Sequence, residues 1–262
     1  MTLILIRGGG DLASGVALRL KHAGLQVLIS ELEQPLAVRR AVSFCEAVYE
    51  GRWQVEEQTA ERVETRQQIE ETLAAGKIPV IVDPQLKIFA TFNLHPAALI
   101  DARLLKHPPE PLPFPVPLLI GLGPGFSAGE NCQAVIETQR GHALGRVYWQ
   151  GSPNSDSGLP DGNPQRVLHA PANGTLVGRA QIGDLIEPGQ IIAEVAGQPI
   201  LAPFAGVLRG LIRPGLTVKK GLKVGDLDAR SQPEYCFLAS DKALAIGGAV
   251  LEAILSSQKQ ER

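Results

Sequence analysis

A chain of 262 residues, 44% hydrophobic and 20% charged with a net charge of −2, has the length for two compact domains and an ordinary globular composition. The near-neutral balance argues against the broad basic surface that nucleic acid or anionic lipid demands. No apolar run approaches the roughly 20 residues of a membrane helix, and the opening residues read as a first strand rather than a signal peptide. A cytoplasmic protein without nucleic-acid or membrane partners is therefore expected. Three scattered cysteines, Cys45, Cys132 and Cys236, argue against a disulfide framework or a zinc ribbon, and no metal site is expected.

Leu3 to Ile6 form a short apolar strand candidate, followed by Gly8, Gly9 and Gly10 and a helical pattern to about Ala23. Strand, glycine turn and helix in that order are the context of a dinucleotide fingerprint, with Gly8, Gly10 and Ala13 fitting G-x-G-x-x-G/A. In that pattern the backbone amides of Gly8, Gly9, Gly10, Asp11 and Leu12 approach a pyrophosphate at the helix N-terminus. Asp11 is also a candidate helix cap whose charge would crowd a phosphate. A second strand, Gln26 to Ser30, ends at Glu31, where a ribose-binding carboxylate is expected.

Pro35 suits the first position of a helix running through Cys45. Ala47 to Tyr49 and Trp53 to Val55 read as strands, Thr59 to Ala75 as a charged helix stopped by Gly76, and Ile78 to Val82 and Leu99 to Asp101 as strands. Strands alternating with helices imply a parallel sheet. Prolines at 108, 109, 111, 113, 115 and 117 make an extended spacer or edge segment, not core. After Leu118 to Ile120 comes a second glycine loop, in which Gly121, Gly123 and Gly125 either present amides to an anion or simply turn the chain. Val135 to Glu137 and Arg146 to Trp149 read as paired strands around Arg140 and His142. Gly151 to Pro164 is the expected domain boundary.

The second half repeats itself. Ala170-Pro171 with Gly174 and Leu176 recurs 32 residues later as Ala202-Pro203 with Gly206 and Leu208, and the same offset aligns Gly183 with Gly215 and Gly189 with Gly221. With Ile182-Gly183-Asp184 and Pro188-Gly189-Gln190, this stretch resembles biotinyl and lipoyl carrier domains. The attachment lysine is missing from the tip, Ala196-Gly197-Gln198-Pro199, so neither biotin nor lipoate is expected. A final helix from Ser240 to Leu255, with Asp241 as its cap, contains Gly247 and Gly248, which imply close approach of another backbone.

The expected architecture is α/β plus β. A Rossmann-like parallel sheet spans residues 1–150, a biotinyl/lipoyl-like barrel-sandwich hybrid spans 165–230, and a helical segment, 231–262, packs back on the body.

Arg7-Gly-Gly-Gly-Asp-Leu-Ala-Ser-Gly15, Glu31-Leu-Glu-Gln-Pro-Leu-Ala37, Ile120 to Phe126, Glu137 to His142, and Pro233-Glu-Tyr-Cys-Phe237 with Asp241-Lys242 give the chain a family likeness. It is similar to the bacterial accessory proteins of the selenium-dependent molybdenum hydroxylase system, relatives of the xanthine dehydrogenase accessory proteins. The resemblance implies a factor that matures a molybdenum hydroxylase or loads its cofactor. Its ligand would be a dinucleotide such as NAD(P) or a molybdopterin-type cofactor, and its partners the hydroxylase apoenzyme or other maturation proteins. A homo-oligomer remains compatible with it. In that role one of the three thiols would carry sulfur or selenium, and Cys236, just before a helix, is the best placed. Two alternatives stand beside it: an NAD(P)-dependent oxidoreductase, with Glu31 selecting NAD, and a non-catalytic scaffold. Against the oxidoreductase, none of Tyr49, Tyr148 and Tyr235 has a lysine four residues on, and His95 has no partner visible in sequence.

Overall fold

A computed structural model of the chain describes residues 2–158 and 162–260. Residues 159–161 of the expected boundary loop and the last two residues of the expected tail lie outside them. The chain divides into two compact units. Unit 1 comprises Met1–Pro35, Phe44–Ser157 and Ala239–Arg262, and unit 2 comprises Leu36–Ser43 and Gly158–Leu238. The expected tail is thereby split: residues 231–238 belong to unit 2 and the helix after them to unit 1.

Unit 1 begins with β1 (Leu3–Arg7), α1 (Asp11–His22) and β2 (Gln26–Glu31). It continues through α2 (Ala47–Glu50), β3 (Arg52–Val55), β4 (Gln58–Val63), α3 (Arg66–Ala74), β5 (Ile78–Val82), α4 (Lys87–Thr91) and β6 (Ala98–Asp101). Then come β7 (Leu119–Leu122), β8 (Ala134–Ile136) and β9 (Val147–Tyr148). Among the described residues these strands form one sheet in the order β3-β4-β5-β2-β1-β6-β7-β8-β9. The pairs from β4 to β8 are parallel, and the edge pairs β3/β4 and β8/β9 are antiparallel. Central strands covered on both faces need continuous apolar runs, which β1, β2 and β5 supply. The register sets Leu28, Leu5, Leu99 and Leu119 in a row across the sheet, and Ile69 and Phe89 pack on the same cluster.

The link from β6 to β7 carries no helix. The proline-rich segment makes that crossing, and Leu112, Phe114 and Val116 alternate with its prolines and pack on the core cluster, with the Phe114 ring stacked 5.7 Å from Phe89. The segment is thus a strap held to the core, where the sequence suggested a spacer or edge.

Three local expectations are overturned. Residues 35–46 form no helix from Pro35 but two 3-10 turns, Arg40–Val42 and Phe44–Glu46, and Ala47–Glu50 is helical where a strand was expected. In unit 2, Arg39 Nη2 donates to the carbonyls of Tyr235 and Leu238 at 3.2 Å, and Arg40 Nε donates to that of Leu211 at 3.0 Å. These anchors hold the segment open. The charged helix expected from Thr59 begins only at Arg66, because Gln58–Val63 is the strand between β3 and β5. Thr65 and Gln68 form the capping box that fixes the true start.

α5 (Asp241–Gln260) is capped by Ser240, whose Oγ accepts the Ala243 amide at 3.1 Å, and not by Asp241. It packs along α1 at glycine contacts. A Cβ at Gly15 would lie 2.5 Å from the Ala243 Cβ, and one at Gly247 would lie 2.6 Å from the Gly15 carbonyl oxygen, whereas Gly248 has open space.

Unit 2 holds β10 (Val167–His169), β11 (Gly174–Gly178), β12 (Leu185–Ile186), β13 (Ile191–Val195), β14 (Gln198–Leu201), β15 (Gly206–Leu211), β16 (Thr217–Val218) and β17 (Lys223–Asp228). They form two antiparallel sheets, β10-β17-β15-β12 and β14-β13-β11-β16. Exchanging the two repeats turns one order into the other, so each repeat lends strands to both sheets. The core doubles in the same way: Leu168 with Ile200, Leu176 with Leu208, Ile186 with Val218 and Ile192 with Val224. Ala196 and Gly197, both at positive φ, form the two-residue turn between β13 and β14. No described helix is long and apolar enough to cross a membrane.

The α1–α5 contact gives a paired test. Gly15→Ala is expected to cost about 1–3 kcal/mol by overpacking, whereas Gly248→Ala gains up to about 1 kcal/mol from helix propensity. Thermal unfolding compares them; equal shifts would show that the helices do not meet at Gly15.

Candidate functional site at the carboxyl ends of the unit 1 strands

The glycine turn follows β1 as its sequence dictates. Gly8 has φ +94° and donates its amide to the Ser30 carbonyl at 2.8 Å. Gly10, not Asp11, is the N-cap of α1, with no side-chain cap hydrogen bond, and Asp11 lies in the first turn. The Gly9 amide donates to Glu31 Oε2 at 2.5 Å, and Glu31 Oε1 accepts the Leu32 amide at 2.7 Å. The Gly9 carbonyl accepts the Cys45 amide at 2.9 Å, and Ser14 Oγ, bonded to Gly10, accepts the Phe44 amide at 2.9 Å. Chain from β2 and from residues 44–46 therefore closes over Gly9. Of Gly8, Gly9 and Gly10, only Gly10 has open space where a Cβ would stand.

Glu31 is 8% exposed, and burial pushes its carboxyl above the usual range against the pull of the Leu32 and Gly9 amides. It serves the turn itself: its carboxylate takes the amide that the fingerprint offers to a phosphate. Leu12 is buried at the start of α1.

The second glycine loop is used in packing. A Cβ at Gly121 would lie 2.1 Å from the Phe126 ring, and one at Gly125 2.4 Å from the His107 carbonyl oxygen. The Gly125 amide donates to the Leu105 carbonyl at 2.8 Å, and Gly123, at φ +97°, turns the chain. These glycines let the strap enter close to β7.

Between the two loops lies a cluster that the sequence reading did not single out. Arg7, the last residue of β1, is 5% exposed. One of its Nη2 bonds reaches the Pro84 carbonyl beyond β5 at 2.6 Å, another Glu110 Oε1 at 2.6 Å, and its Nη1 lies 3.7 Å from Asp101 Oδ2 at the end of β6. Arg103 grips the Asp101 carboxylate with Nε at 2.9 Å and Nη2 at 2.6 Å, and its Nη1 reaches the same Glu110 oxygen at 2.8 Å. Partial burial would lower the Arg103 pKa, but its bonds to Asp101 and Glu110 raise it. Burial likewise pushes Glu110 up, yet Arg103 and Arg7 hold its carboxyl at about 2. A cavity of ≈ 240 Å³ adjoins the cluster, lined in part by Asp101, Glu110, Leu112, Phe126 and Asn131. Two signals pointed here: an arginine at the end of the strand before the glycines, and Asp-Ala-Arg at the end of another. The sequence does not show that a glutamate inside the proline run reaches both.

The structure overturns the thiol assignment. Cys236 is 1% exposed in a 3-10 turn, its Sγ donating to the Leu208 carbonyl at 3.7 Å, and burial raises its pKa against Arg39 and Arg209. Burial also raises Cys132, to about 11, and Cys45, where Glu31, Glu46 and Asp11 add to the effect. No cysteine is poised as a thiolate carrier. Arg140 pairs with Asp241 at 2.7 and 2.8 Å, and His95 with Asn93 at 3.0 Å, so neither is directed at the glycine turns.

Two measurements check this geometry. Because its folded pKa is depressed, ionised Glu110 stabilises the fold above the ordinary glutamate range, and that contribution is lost as pH falls through about 2. The Glu110 carboxyl carbon should titrate in that low range by NMR; a midpoint at the ordinary glutamate value would show that the arginines do not hold it. An aromatic disulfide reagent at mildly alkaline pH should leave all three thiols of the folded chain unmodified over minutes and react with them in guanidinium chloride. Rapid native reaction at Cys236 would restore the carrier assignment.

No family model matches the chain. It is 42% identical over 263 residues to the uncharacterized protein YqeB of Escherichia coli strain K12, an alignment covering 98% of this chain and 48% of YqeB. The chain thus spans about half the length of the curated relative it matches. Among solved structures, an aspartoacylase family protein from Mesorhizobium loti aligns at 14% identity over 86% of this chain and 84% of that one, with a TM-score of 0.28. The apo ectoine utilization protein EutE (DoeB) from Ruegeria pomeroyi aligns at 9% identity over 86% of each chain, with a TM-score of 0.25. Scores this low carry no inference about fold or activity.

Proposed function

We propose that this chain is an accessory factor in the maturation or cofactor loading of a molybdenum hydroxylase, selenium-dependent in the system it resembles. Unit 1 would be its Rossmann-like ligand-binding part, and unit 2 a lysine-free relative of the biotinyl/lipoyl fold that docks a partner. The observation that carries the ligand-binding part is strand order. β5-β2-β1-β6-β7-β8 run parallel in the doubly wound order, with the switch point between β1 and β6. Ligands of such sheets lie in the crevice outside the carboxyl ends of the strands there. In this chain that crevice holds the Gly8 turn and the Arg7–Arg103 pair, suited to the phosphate of a nucleotide or a molybdopterin-type cofactor.

The motifs in Arg7–Gly15, Glu31–Ala37 and Pro233–Phe237 support the choice of partner system. YqeB, 42% identical over the whole alignment, carries a name that assigns no activity. The oxidoreductase alternative loses its main feature, since Glu31 is buried on the Gly9 amide and not presented to a ribose. Buried thiols turn the role away from sulfur or selenium carriage and toward holding a cofactor.

Deleting the gene in a bacterium that makes such a hydroxylase, then restoring the full-length protein, tests the role. Hydroxylase polypeptide should accumulate without activity in the deletion strain and regain activity on restoration. Full hydroxylase activity without the protein would remove the proposal.

A further inference from the structure

We propose that Arg7 and Arg103 form an oxyanion-binding site at the switch point, and that Glu110 of the strap occupies it as an internal stand-in for the ligand. The inference rests on the reading that unit 1 receives an anionic ligand outside its strand ends. It adds which residues take the anion and what must leave first.

Three observations carry it. Arg7 is 5% exposed, yet its Nε is buried without a hydrogen-bond partner. A buried guanidinium is costly unless its donors are met, so this one is incompletely satisfied by the groups around it. Next, two guanidiniums face two carboxylates, so the charges balance only while Glu110 is in place. Asp101 answers one of the two guanidiniums and is itself 1% exposed and fixed at the end of β6, whereas Glu110 answers the other. The Glu110 side chain is 52% exposed and rides on a crossing without strand or helix. Of the two carboxylates, it is the displaceable one. Lastly, a cavity lies beside the carboxylates that the arginines hold, with Glu130 and Asn131 also on its wall. Asp101 and Glu110 both line the ≈ 240 Å³ cavity, and a Cβ on Gly8 would lie 3.7 Å from Arg103 Cγ, so the pair adjoins the glycine turn.

The single oxygen Glu110 Oε1 accepts from both arginines, at 2.6 Å from Arg7 and 2.8 Å from Arg103. A phosphate or carboxylate oxygen placed there makes the same two charge-assisted bonds. A phosphate's further oxygens would meet Asn131 as a donor and Glu130 as an opposing charge on the cavity wall. Binding would release Glu110 and with it the N-terminal part of the strap, while Leu112, Phe114 and Val116 stay packed on the core. Ligand occupancy would thereby be reported by the exposure of residues 105–111.

The test uses the intact chain, calorimetry with pyrophosphate and, in a second arm, malonate, and hydrogen exchange. Glu110→Ala, at a half-exposed position, should keep the fold and bind one or both probes roughly tenfold tighter than wild type, because the internal competitor is gone. Adding Arg103→Gln to that variant should lose the gain. In the wild type, saturating probe should speed amide exchange in 105–111. The arm that binds more tightly identifies the ligand group as phosphate or carboxylate. Equal affinity with and without Glu110, indifference to Arg103→Gln, or no binding of either probe to Glu110→Ala overturns the inference. Pyrophosphate that protects the Gly8–Leu12 amides independently of Arg103 would overturn it while leaving the glycine turn as the ligand site. Failure of the hydroxylase deletion test would remove the accessory role and leave this result untouched.

Discussion

Two arginines and two carboxylates at the ends of β1 and β6 govern what this sheet can do. Parallel strands direct their carboxyl ends, and the loops that follow, to one edge of the sheet, and ligands of such sheets gather there. In this chain Arg7 sits where β1 stops and Asp101 where β6 stops, with Arg103 two residues beyond. Arg7 and Asp101 are nearly dry, so each needs a partner. Glu110 completes the set from the strap, 7 residues past Arg103 and 103 past Arg7. One step away, Glu31 does the same for the Gly9 amide. At both positions the protein supplies its own carboxylate to a group of the kind that binds anions. The difference lies in burial: Glu31 is enclosed and made part of the turn, whereas Glu110 stays half in solvent and can leave.

The rest of unit 1 keeps those ends in place. The row Leu28, Leu5, Leu99 and Leu119 fixes the heights of β2, β1, β6 and β7 relative to one another. α1 is held from behind by α5, which approaches so closely that Gly15 and Gly247 admit no side chain. The chain's C-terminal helix thus braces the helix that starts at the glycine turn. The strap does the work of a crossover helix by an unusual route: alternate prolines need no amide partners, and the apolar residues between them reach the core.

Features with a local physical cause were legible in the sequence. Gly8 needs positive φ at a tight turn after a strand, and the order strand, glycines, helix announced it. The 32-residue repeat foretold two matched sets of strands, and the paired core residues show why the repeat persists in apolar positions. Gly247 signalled a close backbone; Gly248 carried the same signal and has open space beside it. Features set by distant partners were not legible. Residues 35–46 look helical, but Arg39 and Arg40 bond to carbonyls some 170 to 200 positions away. Gln58–Val63 reads as helix until β3 and β5 are placed on either side of it. The Thr65–Gln68 capping box was a local signal that marked the correct start. Cys236 precedes a helix in sequence, yet its thiol is enclosed by β15 and the 3-10 turn it occupies. The Arg7–Glu110 contact joins β1 to a segment 103 positions on, an adjacency that only the fold creates.

A crystal structure of the protein grown with pyrophosphate near neutral pH examines the Arg7–Arg103 site most directly. An oxyanion bonded to both guanidiniums, with Glu110 swung away and the strap still seated through Phe114, is the expected result. Glu110 still bonded to both arginines, with pyrophosphate bound elsewhere or absent, would contradict it.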